Sequence, residues 1–148
     1  MSKIDFIIDS CYDNIDPLGS CIECLAAEIF DKQQCYQIKL SVYEAVTNCI
    51  EHGYQGSPEH KVWVTCQLGI DCISLDIADT GIAMDPLQLQ NTSTSFQVDP
   101  DDLVEGGMGL KIIKLFMDDI NYYSRDGLNH FILVKYSMPQ VAATGDAV

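Results

Sequence analysis

Basic residues are scarce in this chain. Eight Lys and Arg stand against 22 Asp and Glu, a formal net charge of −14. Nucleic-acid binding rests on neutralising phosphates with cations, so that balance argues against it. It argues equally against an anionic membrane surface. Long apolar runs are missing too, and no stretch has the length of a membrane span. The start, MSKIDFIIDS, has neither the basic segment nor the long apolar run of a secretory signal. A cytoplasmic protein is the expectation, and a protein partner, if charge matters, presents a basic face. There is also no second cysteine pair. Of Cys11, Cys21, Cys24, Cys35, Cys49, Cys66 and Cys72, only Cys21 and Cys24 form a CxxC, and no nearby His completes a zinc set. Buried, reduced thiols are expected.

What is present suits one ordinary globular domain: 148 residues, 47% apolar and 20% charged. The domain is expected over residues 1–138, with a frayed tail over 139–148. KIDFIID (3–9) alternates like an edge strand. DPLGSCIECLAAEIFD reads as a helix with Asp16 as N-cap and Pro17 at its first position. A second helix is expected from about Gln33 to His52, with Gly53 ending it. KVWVTCQL (61–68) and CISLDIA (72–78) read as a hairpin turning at GID. Residues 86–107 form a long polar connector, with a short helical turn at its start; such a length inside a compact domain points to a lid. MGLKIIKLFMD restores helical spacing, and strands near 119–124 and 129–137 close the domain around RDG. These elements predict a two-layer α/β sandwich, with a mixed, mostly antiparallel sheet covered on one face by about three helices.

Three polar features do not belong to this core. On the second helix, within YEAVTNCIEHGYQG, Glu44, Asn48 and His52 form a line beside the apolar stripe of Ile38, Val42, Ala45 and Cys49. Helical spacing aims that line at a cleft edge, though i,i+4 hydrogen bonding alone also fits it. In LDIADTGIAMDP a strand ends in Asp79, and Gly81 follows two residues later. A carboxylate there can accept from an exocyclic amine, although an Asp-x-Gly turn is a commoner meaning. In EGGMGLKIIK, Gly106, Gly107 and Gly109 precede a helix whose N-terminal N–H groups suit an anion. No GK[ST] follows, so this is not a Walker motif.

The order of these features resembles the Bergerat-type ATP-binding fold of gyrase, Hsp90, histidine kinases and MutL. Within that superfamily, YEAVTNCIEHGYQG and GGMGLKIIKLFMDDINY are similar to the bacterial anti-sigma-factor serine kinases, the partner-switching family. The resemblance covers roughly residues 4–137. It implies that Asn48 ligates Mg²⁺ on the phosphates of ATP, and that Glu44 is the general base for a substrate serine. It implies that Asp79 accepts from the adenine amine with Gly81 allowing the close turn. It further implies that Gly107, Met108 and Gly109 present backbone N–H groups to phosphate, that His52 makes a supporting contact, and that residues 90–107 form the ATP lid. The implied partners are a sigma factor, a STAS-domain antagonist, or both, with a homodimer common in the family.

The chain departs from the family pattern in three places. Ala83 stands where a second Gly is expected. Gly127-Leu128 replaces a Gly-Thr whose hydroxyl supports the aspartate, leaving Asn129 as the candidate substitute. Val104 and Glu105 stand where many relatives carry a cation. The intact Glu44–Asn48 pair favours a kinase; the missing cation favours a protein-binding switch without phosphoryl transfer. A sensor histidine kinase would need a phosphoacceptor His on a helix ahead of the domain. The histidines are His52, His60 and His130, so that reading requires a second chain.

Overall fold

The computed structural model describes residues 1–92 and 107–138. The expected lid, with Val104 and Glu105, lies largely outside these residues, and so does the tail. Five strands form one sheet: β1 (Ser2–Asp9), β2 (Lys61–Leu68), β3 (Cys72–Asp79), β4 (Asp119–Arg125) and β5 (Leu128–Tyr136), in the order β1-β2-β3-β5-β4. The helices are α1 (Ile15–Ala26), α2 (Lys32–Asn48), the short α3 (Pro86–Asn91) and α4 (Gly107–Phe116). Strands alternate buried and exposed residues because one face alone is covered. The core under the helices joins Ile15 and Ile22 of α1, Ile38 and Val42 of α2, and Ile113 of α4 to Val62, Ile73, Leu75, Ile77 and Leu133 of the sheet.

Each pairing in the sheet is antiparallel, where a mixed sheet was expected. The reason is the return path: β5 inserts between β3 and β4 and runs opposite to both. The β4–β5 hairpin turns at Asp126 (φ 53°) and Gly127 (φ 80°), the pair of positive φ values that a two-residue turn matched to strand twist requires. That turn sets the β4–β5 register, with Ser124 opposite Asn129; in the separate β3–β5 pairing Asn129 lies opposite Asp79.

Helix boundaries differ from expectation for local reasons. α1 starts at Ile15 rather than after Asp16, because a 3-10 turn over Tyr12–Asn14 leads into it and Ile15 is fully buried. Pro17 still falls in the first turn, where its absent N–H is not needed. α2 starts with a capping box: Gln34 N donates to Asp31 Oδ1 (2.8 Å), and Asp31 N donates to Gln34 Oε1 (3.2 Å). It does not run as a regular helix to His52. After Asn48 the chain makes a π-helical turn over Cys49–Gly53, closed by Tyr54 N donating to Cys49 O at 2.9 Å. At the far end of α4, the buried Lys135 ammonium donates to Phe116 O at 2.5 Å and satisfies a terminal carbonyl.

The expectation of buried thiols fails for two of the seven. Cys35, Cys49 and Cys66 are buried, Cys11 and Cys72 are half-buried, and Cys21 and Cys24 are exposed. The buried face of α1 is Leu18, Ile22 and Ala26, and a 3.6-residue period turns residues 21 and 24 away from it. Those thiols border an apolar groove with Ile4, Phe6 and Leu25. No helix among the described residues is long and apolar enough to cross a membrane. Timed thiol labelling of the native protein should modify Cys21 and Cys24 first, with Cys35, Cys49 and Cys66 reacting only on unfolding. Burial also pushes the Cys66 thiol up to about 11, which slows it further. Early labelling of those three would contradict the packing described.

Candidate nucleotide site

The end of α2 and the end of β3 meet through their backbones. Ile82 N donates to Gly53 O at 2.8 Å. A Cβ on Gly81 would lie 2.3 Å from Gly53 O, and one on Gly53 would lie 3.2 Å from Asp79 Oδ1. At position 81 only glycine permits this approach, because the obstacle is backbone. The π turn serves it by carrying Gly53 to the strand end, and Tyr54 then locks the junction. The Tyr54 hydroxyl accepts from Thr80 N (2.9 Å) and donates to Lys61 O (2.5 Å). His60 stacks on the Tyr54 ring, with centroids 4.5 Å apart.

Asp79 is the polar centre of this junction, and it is buried. Its Oδ1 accepts from Gly81 N (2.8 Å) and Asn129 Nδ2 (3.0 Å). Burial first, and then the charge of Asp79, hold the buried Cys49 thiol well above its usual range. Asn129, one residue past Leu128, thus supplies the aspartate with a donor that Leu128 lacks. Nearby, the Tyr122 hydroxyl accepts from Met84 N at 2.9 Å and fixes the chain leaving the Asp79 turn.

The third feature joins from α4. A Cβ on Gly109 would lie 2.6 Å from Glu44 Oε2, so the first turn of α4 rests directly on the Glu44 carboxylate. Gly107 opens that helix, Met108 is exposed and Gly109 is buried. Glu44 and Asn48 are half-buried on α2. Burial, and then the neighbouring charge of Glu51, raise the Glu44 carboxyl above its ordinary value. His52 is exposed on the π turn. The wider turn changes its angular offset from Asn48, so the three-residue line of a regular helix holds for Glu44 and Asn48 only. Lys111 is buried in α4, and Lys114 Nζ donates to Thr92 O at 3.0 Å, joining α4 to the chain just beyond α3.

Glu44 thus meets Gly109, and Asp79 meets Gly53 and Gly81, on one helix and the two ends it touches. Residues 13–135 match the Histidine kinase-like ATPase domain. The chain belongs to that family, in its partner-switching kinase branch. It is 31% identical to the serine/threonine-protein kinase BtrW of Bordetella bronchiseptica over 105 residues, 71% of this chain and 72% of the relative. It is 35% identical to an anti-sigma F factor of Bacillus cytotoxicus over 105 residues, 70% of each chain. Against the anti-sigma F factor of Oceanobacillus iheyensis the identity is 38% over 88 residues, 60% of this chain and 59% of that protein.

Tyr54 and Cys49 were missed in the sequence because each is an ordinary core residue by spacing. The local signal for Tyr54 is an aromatic immediately after a helix-ending glycine. Gly81→Ala should test the junction: its Cβ meets backbone, which cannot swing aside, so a loss of about 1–3 kcal/mol is expected in urea denaturation. Unchanged stability would mean that the two backbones are not in contact.

Proposed function

We propose that this protein is an ATP-dependent serine protein kinase and anti-sigma regulatory factor. It holds a sigma factor or phosphorylates a small STAS-type antagonist on serine. The observation that carries this reading is the seat of Gly109 on Glu44, which joins a candidate base to a glycine-opened helix N-terminus. The relatives named as anti-sigma F factors and as a serine/threonine-protein kinase support it.

The residues fit the nucleotide and its metal. Glycine at 81 lets the Asp79 turn meet the Gly53 backbone, and glycine at 109 lets α4 start against the Glu44 carboxylate. Glu44 and Asn48 supply hard oxygen atoms of the kind Mg²⁺ prefers. In this reading Asn48 holds Mg²⁺, which when bound neutralises phosphate charge. The Gly107, Met108 and Gly109 amides face phosphate, Asp79 accepts from the adenine amine, and His52 gives a contact at the mouth. Glu44 takes the proton from the substrate serine as its oxygen bonds to the γ-phosphorus and the bond from that phosphorus to the departing ADP oxygen breaks. A carboxyl already raised by burial is the stronger base for that step. Among the described residues β1 pairs with β2 alone, and its outer edge lies beside the Cys21–Cys24 groove, which supports a homodimer pairing there. Labelling of those thiols that slows with rising protein concentration would mark it; concentration-independent labelling would speak against it.

A second reading, a nucleotide-gated or nucleotide-independent protein switch without transfer, is favoured by Lys114. That cation stands in the last turn of α4, away from the glycine-opened end, and is engaged by Thr92 O.

Phosphate transfer from Mg·ATP to a candidate STAS protein separates the two. Glu44→Gln should retain ATP binding and lose about 10²–10⁴-fold in transfer, and Asn48→Ala should lose Mg·ATP binding. Transfer at the wild-type rate by Glu44→Gln would remove Glu44 as base. ATP binding with no transfer, together with ATP-dependent sigma capture, would support the switch.

The same substitution has a signature in stability. A carboxyl raised on folding contributes stability below its unfolded value and loses it as pH rises through the folded value. Glu44→Gln should therefore melt higher than wild type at neutral pH, with the gap closing as pH falls through the carboxylate range. A gap that widens on acidification would contradict the burial of Glu44.

A further inference from the structure

We infer that Cys21 and Cys24 form a two-thiolate site for a soft monovalent cation of the Cu(I) class. The pair shares no residue with the nucleotide site, so the inference stands apart from the kinase reading.

Placement is the first support. Cys21 and Cys24 are exposed, whereas Cys35, Cys49 and Cys66 are buried and Cys11 and Cys72 half-buried. Both lie within α1, three residues apart, which is about 60° round a regular helix and about 4.5 Å along it. The two thiols therefore share one face, and that face borders the groove lined by Ile4, Phe6 and Leu25. Phe6 and Leu25 pack in turn against the core, so the wall beside the thiols is anchored.

Spacing decides what the pair can do. Helical neighbours at i and i+3 hold their Cβ atoms about 5–6 Å apart, and a disulfide needs about 3.5–4.5 Å. Closing an S–S bond would pull in the turn of α1 between the two residues. Ile22, fully buried in that same turn, resists the movement. A bridging ion removes the conflict. Two metal–thiolate bonds of about 2.3 Å set in line span about 4.6 Å, a sulfur separation that helical spacing admits without bending α1.

Ligand number decides the ion. Among the described residues there is no group of three or more His, Cys, Asp and Glu side chains able to hold a metal. Zinc takes four protein ligands in structural sites and three in catalytic ones. Mg²⁺ and Ca²⁺ require oxygen. Thiolates favour soft ions, Cu(I) among them, and a monovalent d¹⁰ ion is satisfied by two thiolates in line. Binding releases one proton from each thiol to solvent and forms two sulfur–copper bonds. The oxidation state does not change, so no oxidant or reductant enters. The apolar wall of Ile4, Phe6 and Leu25 limits the access of water to the metal.

The test titrates Cu(I) alone, held reduced without oxygen, into the full chain against a chromophoric cuprous chelator. Wild type is compared with Cys21→Ser, Cys24→Ser and the half-buried control Cys11→Ser. Wild type should take one Cu(I) per chain. Serine at 21 or at 24 should weaken binding by roughly 10²-fold or more, because the second bond no longer closes within one chain. Cys11→Ser should match wild type. Urea denaturation of the two serine variants should match wild type as well, since both positions are exposed, which separates lost binding from lost folding. Wild-type affinity in Cys21→Ser or Cys24→Ser, equal weakening in all three variants, or one Cu(I) per two chains would overturn the site. Ready formation of an internal Cys21–Cys24 disulfide with glutathione disulfide, read as a loss of two hydrogens by mass, would overturn the spacing argument and make the pair a redox couple instead.

Discussion

Everything at the candidate site depends on two backbones touching. Gly53, at the end of the π turn, and Gly81, just past β3, approach so closely that a side chain at Gly81 would run into the Gly53 backbone. This contact carries the end of α2 onto the end of a central strand. It fixes where Asp79 stands relative to Asn48 and gives Tyr54 a place beneath the turn. A regular helical turn would end elsewhere. The wide turn forgoes good hydrogen-bond geometry over Cys49–Gly53, and packing of the buried Ile50 and Tyr54 offsets that loss. Such turns recur at functional sites because they re-aim the chain without breaking the helix.

Electrostatics divides the site into two halves. At the Asp79 end, each hydrogen-bonding partner is a donor, and the carboxylate is satisfied within the protein. At the Glu44 end, burial and Glu51 both disfavour charge, in a chain that is already strongly acidic. The first half is ordered by hydrogen bonds; the second stores electrostatic cost at the carboxylate proposed as the base. Natural sites commonly hold stability and activity in opposition in this way. The helix N-terminus of α4, seated on Glu44, is the compensating positive end.

The strands were legible almost to the residue, because one covered face imposes a two-residue period on each. The Glu44–Asn48 pair, the Asp79 turn and the glycine-opened helix were legible as separate features, and their order pointed to the family. The π turn was not, since nothing in CIEHG distinguishes it from a regular helical turn; its cause lies across the fold, in Gly81. Asn129 was visible as a substitute for a missing hydroxyl, but its hydrogen bond to Asp79 depends on the β3–β5 register, a non-local pairing that no turn between those strands fixes. The antiparallel character of each pairing is equally non-local, because it depends on where β5 inserts. Cys21 and Cys24 were misplaced for a simpler reason. Spacing shows that residues share a face, and only the packing of α1 decides which face is covered.

The central claim is that α2, the Asp79 turn and the start of α4 form one ATP site. Amide hydrogen exchange with and without Mg·ATP tests it most directly. The account predicts slower exchange on ATP addition in all three places together: residues 48–54, 79–82 and 107–110. Protection confined to one of them, or none at saturating nucleotide, would contradict it.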